Sequence, residues 1–362
     1  MSDSAITALV AGLHLRWNGV WQRPQHVLSR LAERRPVFVI EEPLAAPADG
    51  HAIEQHGNIT IIRPLRVRAS YAAPIDAALL KHVSASVGRA QVGLLLYTPM
   101  MLDLASAFPG APIVYDCMDE LAAFAGAPHS MVERENELLA RASLVFCGGP
   151  SIFRAKEGRT AQARLFESGV DAPFFEQART AEPHPLMHEM PKPRLVYIGV
   201  IDERIDYGIL EALASTSMQI VMVGPLAKID PAVLPYHPNV HYTGQIPYAD
   251  LPRLLAGADA AIMPFAHNAS TAYISPTKTL EYLAAGVPVV STTIRDVLDL
   301  YGDLITFADE PEDFVAACTS VLHTRMLHTS AAHRERGIER ARTLSWDTIA
   351  AAMWDEITRV KL

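Results

Sequence analysis

At 362 residues the chain exceeds what one hydrophobic core usually serves, so two domains are expected. Hydrophobic residues make up 50% and charged ones 20%, the balance of a soluble, well-cored protein, and a formal charge of −9 argues against a general nucleic-acid binder. Cys117, Cys147 and Cys318 are widely spaced with no C-x-x-C, which reads as buried thiols in a reducing compartment and not as a disulfide framework.

Asp3 precedes a short apolar run with no basic segment before it, which reads against a leader peptide. No apolar stretch approaches the length of a membrane-spanning helix, so a cytoplasmic protein is expected. Short apolar runs alternating with helical patterns then announce parallel strands joined by crossover helices. In the first half the strand candidates are 6–12, 36–41, 59–63, 93–98, 112–117 and 144–148, with helical patterns at 24–33 and 75–87. The stretch 134–141 leads into the 144 strand. Arg63, Arg66, Arg68 and Lys81 could line an edge for a peripheral membrane contact; ordinary solvated charges are the plainer reading.

Periodicity collapses over 173–193, where Pro173, Pro183, Pro185, Pro191 and Pro193 sit among polar residues, the composition of an interdomain linker. A second series follows, with strand candidates at 195–199, 219–223, 240–243, 260–264, 287–291 and 304–307.

Between the fourth and fifth of these, Ser275-Pro276-Thr277-Lys278-Thr279-Leu280-Glu281 reads as a helix start shaped for an anion. Ser275 suits the N-cap and Pro276 the first helical position. The remaining N–H groups then favour a phosphate. Lys278 and Glu281, at i and i+3, leave one face of that helix. A cation for phosphate beside a carboxylate for sugar hydroxyls suits a nucleotide-sugar, with a solvated ion pair as the alternative. Gly286 ends the helix and Pro288 opens the next strand. The chain is helical from about 312 onward, and Ser345 caps a last helix with Trp346, Ile349, Met353, Trp354 and Ile357 on one apolar face. Two tryptophans there imply docking, with the first domain as the candidate surface.

Taken in order, the strands into Gly199 and into Gly224-Pro225, Val240-His241-Tyr242-Thr243-Gly244, Ile246-Pro247-Tyr248-Ala249-Asp250-Leu251-Pro252, Ala258-Asp259, Met263-Pro264-Phe265 and the 275–290 segment resemble GT-B glycosyltransferases. Within these the resemblance is to the retaining family-4-like group. The first half resembles a bacterial subgroup through Arg16-Trp17-Asn18-Gly19-Val20-Trp21-Gln22-Arg23-Pro24-Gln25-His26, Val114-Tyr115-Asp116-Cys117-Met118-Asp119-Glu120-Leu121 and Gly149-Pro150-Ser151. The resemblance implies an α/β fold of two Rossmann-like parallel-sheet domains facing a cleft. It divides the chain into an acceptor domain at 1–175, a linker at 176–193, a nucleotide-sugar domain at 194–344 and a helix at 345–362 returning to the first domain. There are departures. The family pattern E-x7-E meets Tyr273 at its first position and Glu281 at its second, and Asn-Gly-Val-Asp is replaced by Ser168-Gly169-Val170-Asp171. The loop 268–274 offers Ser270, Thr271 and Tyr273 in place of the missing carboxylate.

What the resemblance implies is transfer of a hexose from a nucleoside diphosphate, UDP favoured, to a hydroxyl on a small molecule or glycan, with retention. Glu281 would accept from ribose hydroxyls; Lys278, with the backbone at Ser275, Pro276 and Thr277, would hold the diphosphate. Pro276, lacking an N–H, contributes only by shaping the turn. Gly199 and Gly224 end strands beside the donor, and Arg204 would grip phosphate, with Asp202, Glu203 and Asp206 competing for its charge. Gln245 and Ile246 fall where a nucleobase rests. In the first domain Asp116 or Asp119 would orient the acceptor hydroxyl or merely cap the next segment, and His26, near Arg23 and Gln25, is a catalytic candidate or a structural histidine. No D-x-D occurs near the donor helix, so neither a metal nor another cofactor is expected. An epimerase, a degenerate non-catalytic subunit supporting a partner and, more weakly, an NAD enzyme (no G-x-G-x-x-G follows a strand) are the competing readings.

Overall fold

A computed structural model describes residues 6–69, 75–227, 229–326 and 331–360. Asp3 and the last two residues of the expected C-terminal segment lie outside the described residues, as do residues 327–330 of the helical stretch expected after 312. The described chain divides into two compact units, 1–168 with 346–362, and 169–345.

The first unit runs β1 (Ala8–Gly12), α1 (Arg23–Ala32), β2 (Val37–Ile40), β3 (Leu44–Ala45), β4 (Gly50–His56), β5 (Ile59–Arg66), α2 (Ala77–Val87), β6 (Val92–Leu96), β7 (Ile113–Cys117), α3 (Met131–Arg141), β8 (Leu144–Cys147), α4 (Pro150–Glu157) and β9 (Ala163–Leu165). Its strands lie in the order β3-β5-β2-β1-β6-β7-β8-β9, all parallel along that path. β1, β6, β7 and β8 are buried at every residue, which is why they read as unbroken apolar runs. β4 is antiparallel to β5, and the sequence reading passes over it because its residues GHAIEQH carry no strand pattern.

The second unit runs α5 (Ala172–Glu176), α6 (Pro185–His188), β10 (Arg194–Ile198), α7 (Tyr207–Ala214), β11 (Gln219–Val223), β12 (Val240–Gly244), α8 (Leu251–Ala256), β13 (Ala260–Met263), α9 (Lys278–Ala284), β14 (Val289–Ser291), α10 (Arg295–Tyr301), β15 (Thr306–Phe307), α11 (Pro311–Met326) and α12 (Ala331–Arg342). Its parallel sheet has the order β12-β11-β10-β13-β14-β15. Order reverses between β10 and β13, the place where such sheets open toward a ligand at their carboxyl ends.

The stretch expected as a linker is folded. Pro173 and Pro185 occupy first turns of α5 and α6, where a missing N–H is harmless, and Phe175, Ala178 and Met187 are buried in the second unit's core. The final helix, α13 (Trp346–Arg359), belongs to the first unit. Trp346, Met353, Trp354 and Ile357 share a core with Val27, Leu28 and Leu31 of α1, and Arg30 bonds Asp347.

Candidate functional site

At the carboxyl end of the second sheet, β10, β11 and β12 finish side by side in glycine. Gly199 donates to Val223 O at 2.9 Å and Gly224 to Gly244 O at 2.9 Å. Gly224 has φ +145°, and a Cβ built there would lie 1.8 Å from Gly199 O. Backbone therefore meets backbone, and the floor of this end has no side chain at Gly224.

β13 feeds a loop into α9, whose every residue but Lys278 is buried. The helix starts later than its sequence implies: Thr277 is the N-cap, in αR conformation and without a side-chain cap bond. Ser275 and Pro276 lie upstream of it. The cause is a tight first turn, in which Pro276 O accepts from Thr279 N–H and Thr277 O from Leu280 N–H. With seven residues α9 is a short helix, and Lys278 is the cation of its first turn.

Lys278 Nζ donates to both Glu281 oxygens, at 2.9 and 2.7 Å, with side chains only 14% and 5% exposed. The pair is thus no solvated surface contact. Burial raises the Glu281 carboxyl above its ordinary value, and the Lys278 charge opposes that rise. Behind it, the Tyr282 hydroxyl accepts from Ile198 N–H at 2.8 Å and ties α9 to the end of β10. Sequence reading does not reach Tyr282, although a tyrosine on a buried helix face requires such a partner.

Arg204 is held by Asp202 through contacts of 2.9, 3.1 and 2.7 Å, and Asp206 caps α7 through Ile209 N–H. Two of the three nearby acids thus have local work. Gln245 is exposed and Ile246 half-buried against the core after Gly244, whose φ is +71°. Ser270 and Thr271 build their own loop: both backbone N–H groups and the Ser270 hydroxyl bond Asn268 Oδ1, and the Thr271 hydroxyl donates to Ala266 O at 2.6 Å. Beside that loop His267, Asn268, Thr271, Thr293 and Arg295 line a cavity of about 360 Å³, where Asp309 joins His267 to Thr293. No sequence motif marks that group.

The first unit separates its three catalytic candidates. Asp116 is wholly buried, and both its oxygens take Arg23 Nε, at 2.9 and 3.0 Å. Arg23 also donates to Phe166 O and to the Met353 sulfur on α13. Asp116 therefore anchors α1 and α13 and does not face a substrate. His26 is 4% exposed, stacked on Trp346 at 4.9 Å and edge-on to Trp21. It too is packed as a structural residue. Asp119 alone is half-buried, in the loop after β7, where Asp119 O accepts from Cys117 Sγ and neighbouring Glu120 bonds buried Lys156 at 2.7 Å. Among the described residues no group of three or more His, Cys, Asp or Glu is placed to hold a metal ion, and no helix is long and apolar enough to cross a membrane.

Residues 192–324 match the family described as glycosyl transferases group 1. The chain is 26% identical over 267 residues to TuaH of Bacillus subtilis (strain 168), a proposed teichuronic acid biosynthesis glycosyltransferase. That match covers 68% of this chain and 66% of the relative's length. Alr3699/HepE of Anabaena, crystallised with UDP and glucose, superposes with a TM-score of 0.72 at 13% identity over 97% of this chain and 99% of that one. Sucrose-phosphate synthase of Thermosynechococcus elongatus gives 0.71 at 16% identity, over 97% and 98%. The fold is therefore GT-B, with parallel sheets in both units, and residues 192–324 match the group 1 glycosyltransferase domain.

Proposed function

We propose that the protein transfers a hexose from a nucleoside diphosphate donor to a hydroxyl of a small molecule or glycan, in the cytoplasm. The observation that carries this reading is the buried Lys278–Glu281 pair inside the glycosyltransferase domain. Among the described residues these two charges satisfy only each other, and such a pair is a weak source of stability, because desolvation offsets most of its attraction. They make better sense as a preformed receptor. Lys278 Nζ would turn to the diphosphate while the Glu281 carboxylate accepts from ribose hydroxyls, so a ligand replaces each partner. Arg204, kept in place by Asp202, adds a second cation, and Gln245 and Ile246 border the base. UDP is the favoured nucleotide, since the fold neighbour HepE holds it.

In the reaction the acceptor oxygen bonds the anomeric carbon as the bond from that carbon to the β-phosphate oxygen breaks, and the diphosphate leaves with the electron pair. In the retaining course the leaving oxygen takes the acceptor's proton, so no protein base is required and Lys278 with Arg204 stabilises the growing charge. Asp119 is the first-unit carboxylate we assign to orienting the acceptor. No metal enters this scheme.

Glu281→Ala is expected to weaken nucleotide binding by roughly ten- to a hundredfold, the worth of a hydrogen bond to a charged group. Calorimetry on wild type and variant checks it, and an unchanged dissociation constant removes Glu281 from the site. One observation favours a second reading, a non-catalytic subunit: Tyr273 occupies the position where the family pattern has its first glutamate. That reading predicts no nucleotide binding at all.

A further inference from the structure

The first unit has a pocket of about 170 Å³, open to solvent on the Arg68 side, at the carboxyl ends of β2 and β5, lined by Glu41, Arg66, Arg68, Asp76, Leu79 and Met101 among others. Its charges do not simply cancel across the space. Glu41 is fully buried and accepts from Arg63 Nε at 2.6 Å, Arg16 at 3.2 Å and Trp17 N–H at 2.7 Å. Arg16 and Arg63 thus answer it from outside the lining. Asp76 accepts from Arg66 at 2.8 and 2.6 Å through one oxygen and from Leu79 N–H at 2.8 Å through the other. The rest of Arg66 donates to Gly50 O and Leu65 O. Both lining carboxylates are neutralised, and Arg68 is exposed with no ion-pair partner among the described residues.

We propose that this pocket binds a single oxyanion, a phosphate or carboxylate carried by a ligand, with Arg68 as the recognising guanidinium. On the functional reading above, that ligand is the acceptor, and the acceptor is therefore acidic. A guanidinium forks two oxygens of either group. A membrane surface fits less well, since Arg63 and Arg66 are engaged with Glu41 and Asp76 and leave only Arg68 and Lys81 of the expected basic edge.

The test follows inorganic phosphate by ³¹P line broadening and glucuronate by saturation-transfer NMR, with wild type, Arg68→Ala and Lys278→Ala. The expected result is a response to at least one anion that falls about tenfold in Arg68→Ala and persists in Lys278→Ala, the loss of one charge-assisted pair. Arg68 is exposed, so its replacement leaves the fold intact. No response to either anion overturns the proposal, as does a response that Lys278→Ala abolishes and Arg68→Ala leaves. Binding only to phosphatidylglycerol vesicles also overturns it, in favour of a membrane. UDP titrated into the same samples separates the two readings. UDP binding without an Arg68-dependent anion response ends this proposal alone; the anion response without UDP binding ends the donor assignment alone.

Discussion

Arg23→Met is expected to destabilise the first unit by about 3–5 kcal/mol, the usual cost of leaving one partner of a buried ion pair uncompensated. Arg23 is 1% exposed, and its guanidinium reaches Asp116 on β7, the carbonyl of Phe166 after β9 and the Met353 sulfur on α13. Removing it leaves the Asp116 carboxylate buried without its counter-charge, with the Tyr97 hydroxyl as a remaining polar neighbour, and unties three segments together. Chemical denaturation of wild type and variant measures the loss. The double variant Arg23→Met, Asp116→Leu should recover most of it, because two apolar groups need no compensation; failure to recover would show that the contacts to Phe166 and Met353 carry the energy. The pH dependence has a definite sign. Burial already raises the Asp116 carboxyl, and the Arg23 charge opposes that rise. Without Arg23 the folded-state value climbs further above the unfolded one. The penalty is then full above the raised folded-state value and fades as pH falls through it toward the unfolded value, so the variant should approach wild type on acidification.

Gly224→Ala is expected to cost about 4 kcal/mol or more, in the range reserved for a named structural conflict. Its φ of +145° is closed to L side chains, and the added carbon would overlap Gly199 O at 1.8 Å. Nothing flexible can yield there, because the obstacle is the backbone that ends β10. The comparison is Gly199→Ala, whose added carbon meets the Tyr197 hydroxyl at 2.7 Å, the far end of a side chain. Thermal unfolding of the two variants should rank Gly224→Ala clearly lower. Equal melting temperatures would mean that the two strand ends can separate, and that their close approach does not shape the floor beside α9.

The contrast between these residues and α9 shows what a sequence carries. Lys278 and Glu281 are legible because they are three apart on one helix, and helical geometry alone places them together. Their burial is not legible, since it is set by how α9 is enclosed, with Tyr282 bonded to the end of β10 across 84 positions. Arg23 stands in the sequence only as a neighbour of His26, and its partner lies 93 positions away on another element. Asp116 and His26 carry the residue types of catalysis, and only packing shows them holding α1 to α13. The prolines between 173 and 193 read as a linker, yet the same ring that breaks a helix interior suits its first turn, and Pro173 and Pro185 sit there. The parallel strands were the readable part, because burial on both faces writes itself as a continuous apolar run.

Whether α9 and the strand ends around it receive a nucleoside diphosphate is decided by calorimetric titration of the purified protein with UDP, GDP, ADP and TDP, each without metal. One of them, with UDP favoured, is expected to bind at micromolar strength, about −8 kcal/mol. Absence of binding by all four would contradict it.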